Sequence, residues 1–496
     1  MKQMRNTTNE STMTVGKISR NASIYGLGTL LRHMTALVML PIYTQYLDPA
    51  DYGAIEMLTM ALEFAGILLG LRISQAMFRF YILEDDENKK KLIVSTVFVA
   101  VIMLSVAGVV ALELLSPLLV VVLFGDAAYL MEFRLFVFTL LTMAISNTGM
   151  AFIQAQHRPL LYVVMSVLTL VLQVSGNIYF VVYRELHVLG VVYSALISGL
   201  AISIVLSIFI VRKVGLRIKA NVLSRLYQFV YPLIAASIAG FYVAYSDKYY
   251  LRLFEDLASV GLYALAGRLA SILATFYATF NQSWSAARFE IYKQENCRET
   301  FDQVFKLISI ASVLVAAGLI MFSKDVIYYM TDESYHDAIK IIPWFVLAVF
   351  IRLYVPFFNF GILLTEQTKF LAYASWIKAV VSTVLYLLLI PSYGIMGAVI
   401  ALLLSNLVET VYVYLKSQKL FDMGLNIMLV IFVTLSSVPM LIAGWLIPVG
   451  TVTDTFMRVL LYLVILLTFA LLPIWSQKEK EYAKSLFYRF RRSVRY

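Results

Sequence analysis

Long apolar runs of about 20 residues recur along this 496-residue chain, separated by short polar connections. A helix needs roughly that length to cross a hydrocarbon core of ~30 Å, and an open sheet would leave backbone groups unpaired in lipid. The runs are therefore transmembrane helices. Composition agrees, because 61% hydrophobic and 14% charged residues leave too little polar surface to enclose the apolar mass in water. The expected fold is an all-α integral membrane protein with about 14 spans. They fall near 23–46, 53–82, 92–115, 130–155, 160–183, 189–211, 222–246, 257–284, 304–323, 340–364, 370–390, 394–415, 425–447 and 456–475. The stretch 112–125, interrupted by Pro117, reads as a segment lying at the interface rather than crossing. A soluble enzyme, a disordered chain and a nucleic-acid reader are excluded. A single cysteine, Cys297, and four scattered histidines offer no disulfide and no metal-ligand spacing, so no cofactor is expected.

Orientation follows from Lys and Arg. Placing the N-terminus inside puts 28 of them in the cytoplasmic segments against 7 outside. Such a bias sets both termini in the cytoplasm of a multi-pass cell-membrane protein and requires an even number of spans. The polar segment 1–22 lacks the features of a cleaved signal, so the first span is expected to direct insertion. The basic tail 477–496 reads as an anchor on anionic lipid headgroups.

Sliding the chain against itself exposes a repeat. At an offset of 208, YLDPADYG (46–53) falls on FEDLASVG (254–261), aligning Asp48 with Asp256 and Gly53 with Gly261. Downstream, Gly190 and Ser198 fall on Gly397 and Ser405 at 207. The unit holds an even number of spans, so its copies enter the membrane in the same direction, related by an axis along the normal. Two pseudo-symmetric six-helix lobes, 23–218 and 221–418, are expected around a central cavity, with two extra C-terminal helices in 424–476. A carrier built this way needs no oligomer, so a monomer is expected.

Three stretches carry a family resemblance. LPIYTQYLDPADYGAIEMLTM (40–60), YSDKYYLRLFEDLASVGLYALAGRLASIL (245–273) and LLIPSYGIMGAVIALLLSNL (388–407) resemble, in order, signatures of the polysaccharide-transport branch of the multidrug/oligosaccharidyl-lipid/polysaccharide exporter superfamily. The resemblance implies a V-shaped pair of six-helix bundles that moves an undecaprenyl-pyrophosphate-linked oligosaccharide to the outer leaflet, alongside glycan-assembly proteins. Relatives on the same fold export drugs or flip a peptidoglycan precursor, so the fold does not select the cargo.

Side chains must do that. Ionisable residues inside spans are costly and usually face a wet interior. The spans carry Arg32, Glu56, Glu63, Arg72, Arg268, Arg352, Lys378 and Glu409, five cations against three acids. That balance suits a phosphorylated headgroup better than a cationic drug. Arg268 shares a polar stripe with Ser271, Thr275 and Gln282, and Arg352, Asn359 and Glu366 recur at sevens around Pro356, whose carbonyl neighbours are expected to open to water. Arg32, Arg268 and Arg352 are candidate pyrophosphate contacts, since guanidinium binds two phosphate oxygens and stays charged. Lys378 is a further cavity candidate. Glu63, Glu56 and Glu409 are candidates for coupling to protons or sodium ions. The competing reading pairs each cation with one of these acids as a helix lock. Arg72 is expected to snorkel and His33 to pack.

The expected function is a flippase that moves a lipid-linked oligosaccharide by alternating access of two lobes. Alternatives are an ion-coupled drug antiporter of the same fold and a membrane glycan polymerase. The longest outside loop, about 323–340, is too short for a catalytic domain of ~50 residues, and no GxxxxGK loop is present for ATP hydrolysis.

Overall fold

The computed structural model describes residues 39–70 and 73–471, all helices and connections. Arg32, His33 and Arg72 lie outside the described residues. Residues 39–46 form α1, followed by α2 (Pro49–Leu68), α3 (Ile73–Leu83) and α4 (Glu87–Phe124). Then come α5 (Leu130–Val137), α6 (Thr139–Ala155), α7 (Pro159–Asn177), α8 (His187–Val214), α9 (Ala220–Phe254), α10 (Leu257–Ile291) and α11 (Cys297–Met330). The remainder is α12 (Ile342–Arg352), α13 (Val355–Phe358), α14 (Phe360–Leu364), α15 (Lys369–Leu420), α16 (Ile427–Leu446) and α17 (Val452–Leu471). Among the described residues, ten helices are long and apolar enough to cross a membrane, or twelve if two bent pairs each count as one span. A straight helix of the length of α15, 52 residues, would reach about 78 Å. It instead turns back on itself at Gly394, whose φ of 54° lies in the left-handed region.

Local chemistry explains where helices start and why one continues. Asp48 caps α2 by accepting from Asp51 N at 2.7 Å, and Pro49 sits in the first turn. Asp256 caps α10 identically, accepting from Ser259 N at 2.7 Å. Contrary to the interfacial reading of 112–125, α4 runs unbroken through Pro117. Proline removes the N–H that would bond the Glu113 carbonyl. The Ser116 hydroxyl donates to that carbonyl at 2.7 Å, which repairs the loss.

The first repeat-related stretches meet. A Cβ added to Gly53 would lie 1.9 Å from the Leu257 carbonyl oxygen, and one added to Gly261 would lie 1.9 Å from that of Pro49. Backbones of α2 and α10 thus cross in direct contact at positions 208 apart. Nearby, Tyr335, in the turn between α11 and α12, donates its hydroxyl to the carbonyls of Leu47 (3.0 Å) and Asp48 (2.9 Å). Downstream the pattern repeats locally, with Gly190 packed on the Phe180 backbone and Gly397 on that of Leu389.

Helices α16 and α17 are fastened to α11. The fully buried Arg458 guanidinium pairs with Asp325, and Thr455 donates to the same carboxylate at 2.8 Å. Tyr462 reaches the Leu314 carbonyl at 3.1 Å.

Candidate functional site: a charged intramembrane cavity

A cavity of about 740 Å³ opens between α2, α9, α10, α12 and the second arm of α15. Among the described residues three cations line it, Lys248, Arg268 and Arg352, together with three acids, Glu56, Asp247 and Glu409. Glu56, on α2, lies at the centre of one cluster. Its carboxylate accepts from Lys248 Nζ at 2.5 Å and from Arg268 Nη2 at 3.1 Å, so one acid holds cations from α9 and α10. Glu409 anchors the second cluster. Lys378 donates to it at 2.9 Å across the two arms of α15, while Arg352 Nε stands at 3.9 Å.

The cations differ in what they leave free. Lys378 is 1% exposed, lies behind the cavity wall and donates to Glu409. The side chain of Arg268 is 38% exposed and that of Arg352 54%, so both present unused donors to the cavity. Counting Lys378 gives four cations against three acids in the cavity and its wall among the described residues. The two arginines are therefore both paired and accessible, a combination that a purely structural lock would not require. Asp247 is held by Tyr263, whose hydroxyl donates at 2.7 Å, and Asn406 pins α15 to α12 by donating to the Ala348 carbonyl at 2.9 Å.

Of the residues singled out in the sequence, Arg268, Arg352, Glu56 and Glu409 come together at this cavity, and Lys378 is behind it. Glu63 is not there. Although it shares a face of α2 with Glu56, it lies two turns further along and lines separate pockets against α3, α6, α7 and α8. The stripe of Arg352, Asn359 and Glu366 does not exist as one face, because the chain breaks between α12, α13 and α14 around Pro356. Asn359 accepts from Arg288 at 2.8 Å instead, and the same guanidinium bonds the Pro356 carbonyl at 3.0 Å, in place of the expected water. Of the Arg268 stripe, Ser271 lines the cavity with it, while Thr275 and Gln282 are exposed elsewhere.

Lys248 is the cavity cation that the sequence reading missed. The apolar run stops near 246 and so places Lys248 in an outside loop, yet α9 continues to Phe254. The Tyr-flanked Ser-Asp-Lys at 246–248, with no Gly or Pro before Glu255, was the available signal that the helix persists.

The fold is that of a multi-pass membrane protein, with ten to twelve helices of spanning length among the described residues, and it is shared with solved flippases and multidrug exporters. A solved structure of "Lipid II flippase MurJ, inward closed conformation" superposes with a TM-score of 0.69, at 14% identity over 90% of this chain and 98% of that one. An inward-facing multidrug resistance MATE family transporter of the MOP superfamily gives a TM-score of 0.62, at 15% identity over 78% of this chain and 94% of that one. No curated protein matches the sequence. The family model described as "Polysaccharide biosynthesis protein" matches residues 42–340, and the chain belongs to that family.

Proposed function

We propose that this protein is a flippase that carries a polyprenyl-pyrophosphate-linked oligosaccharide from the cytoplasmic to the outer leaflet, with the diphosphate held in the cavity by Arg268, Arg352 and Lys248. The observation that carries the reading is that Arg268 and Arg352 are accessible to the cavity while each has a carboxylate partner. An uncompensated guanidinium would be costly at this depth, so Glu56 and Glu409 serve as resident counter-anions that an incoming diphosphate replaces. Arginine favours such an exchange because its planar fork can bind two phosphate oxygens. The displaced carboxylates then become the groups able to take up a proton or sodium ion, which ties cargo entry to ion coupling.

The close crossing at Gly53 and Gly261 and the matching caps at Asp48 and Asp256 support two pseudo-symmetric lobes, 23–218 and 221–418. Fourteen spans in all and both termini in the cytoplasm complete the proposal, on the apolar runs and the Lys and Arg bias of the sequence. Rocking about that crossing would alternate access to the cavity. Arg32, the third arginine, belongs to this proposal on sequence grounds alone. A monomer suffices, with membrane lipids and glycan-assembly proteins as partners. The balanced charge of the cavity lining keeps the drug antiporter as the second reading, since its acids would attract an organic cation if the arginines were not engaged.

Reconstitution into liposomes tests the proposal. Purified protein should move a fluorescent polyprenyl-pyrophosphate oligosaccharide between leaflets without making or breaking glycosidic bonds. Arg268→Ala should reduce the rate at least tenfold at unchanged insertion. Normal flux in that variant, or transport of organic cations instead, would overturn the assignment.

A further inference from the structure

A second polar compartment lies beside the charged cavity. Glu63 lines two pockets, of about 580 Å³ and about 370 Å³, which also share Asn147 and Met150. Among the described residues, neither has a lysine or arginine in its lining. Four amides face into the pair: Gln75 on α3, Asn147 and Gln154 on α6, and Gln173 on α7. Among the described residues none of these amides, nor Glu63, has a hydrogen bond or ion pair. Gln75 and Asn147 are exposed to this space and Gln154, Gln173 and Glu63 are half-buried, so their donors and acceptors are open to a ligand. Asn147 and Gln154 stand seven apart on α6, so their alignment on one face is a property of the helix rather than a local accident.

The compartment adjoins the cavity. Thr59 lines both, and along α2 the order is Glu56, Thr59, Glu63. Glu56 to Glu63 is two turns, about 10 Å. We propose that this compartment is a glycan subsite, which takes uncharged or amine-bearing sugars of the cargo while its diphosphate sits among the arginines. Amides and a carboxylate are the groups that bond sugar hydroxyls, each amide offering both a donor and an acceptor. The volumes lie in the range of small-molecule sites and far exceed that of a bare ion. Among the described residues, no group of three or more His, Cys, Asp or Glu converges to hold a metal. A uronic acid unit would be disfavoured, since Glu63 would repel it and no cation among the described residues lines the compartment to compensate.

The subsite rests on the reading that the cargo head enters the charged cavity, and the experiment separates the two. Full-length protein in nanodiscs is titrated with bare polyprenyl pyrophosphate, the same lipid bearing an uncharged disaccharide, and the same lipid bearing a hexuronic-acid disaccharide. The uncharged glycolipid should bind roughly tenfold tighter than the bare lipid. Asn147→Leu and Gln173→Leu should each cut that ratio by about fivefold without weakening the bare lipid. Glu63→Gln, which keeps side-chain shape, should raise affinity for the uronic-acid glycolipid. Bare lipid that binds normally, with no preference for sugar in the wild type or with the preference intact in the variants, overturns the subsite alone. Failure of the bare lipid to bind, with Arg268→Ala silent, overturns the charged-cavity reading and the subsite with it. Loss of sodium binding in Glu63→Gln, with sugar preference and exclusion of uronic acid unchanged, overturns the subsite and assigns the compartment to a cation.

Discussion

Replacing Gly53 by alanine tests the crossing of α2 and α10 at its tightest point. The new methyl would sit 1.9 Å from the Leu257 carbonyl oxygen, where ordinary contact begins at 3.4 Å, so the helices must separate locally by about 1.5 Å. The obstacle is backbone, which cannot swing aside as a flexible side chain would. Overpacking of this kind typically costs ~1–3 kcal/mol. Gly261→Ala meets the Pro49 carbonyl at the same 1.9 Å and should cost the same. Both methyls strain one contact, so the double variant should lose less than the sum of the singles. Thermal unfolding in detergent, followed by intrinsic tryptophan fluorescence, measures all three. Spin labels on α2 and α10 would report the separation directly. Melting unchanged in either single variant, or strict additivity in the double, would refute the claim that the two glycines form one pseudo-symmetric contact.

Lys378→Met leaves Glu409 with only the looser Arg352 and should destabilise by ~3 kcal/mol, whereas Lys378→Met with Glu409→Gln should recover most of that loss, as read by thermal melting. Tyr335→Phe removes the hydroxyl that reaches the carbonyls of Leu47 and Asp48, and should cost ~1–2 kcal/mol and raise cysteine accessibility between the α1–α2 connection and the α11–α12 turn, as read by thiol labelling. If accessibility is unchanged, that bond does not hold the two segments together. Asp325→Asn removes the charge partner of a fully buried Arg458 and should loosen α17 from α11, giving faster proteolysis near the α16–α17 connection.

The sequence by itself determined the solvent in which this chain folds and the places where its helices begin. Apolar runs of bilayer length demand helices whatever their partners, and Asp48 and Asp256 announce their caps locally. The resemblance to polysaccharide exporters was likewise legible, because its three motifs are contiguous strings of residues. The repeat identified Gly53 and Gly261 as equivalent, but only the tertiary structure placed them against each other. Ionisable groups within apolar runs marked Arg268, Arg352, Glu56 and Glu409, since a charge inside a span is visible in the sequence of one helix. It could not say which acid meets which cation, because those distances span up to 212 positions of chain, as in Arg268 with Glu56. Nor could it separate Glu63 from Glu56, which share a face of α2 yet meet different neighbours two turns apart. Lys248 was lost to the sequence for a different reason: hydropathy marks where lipid contact ends, whereas the helix ends only where its backbone hydrogen bonds do.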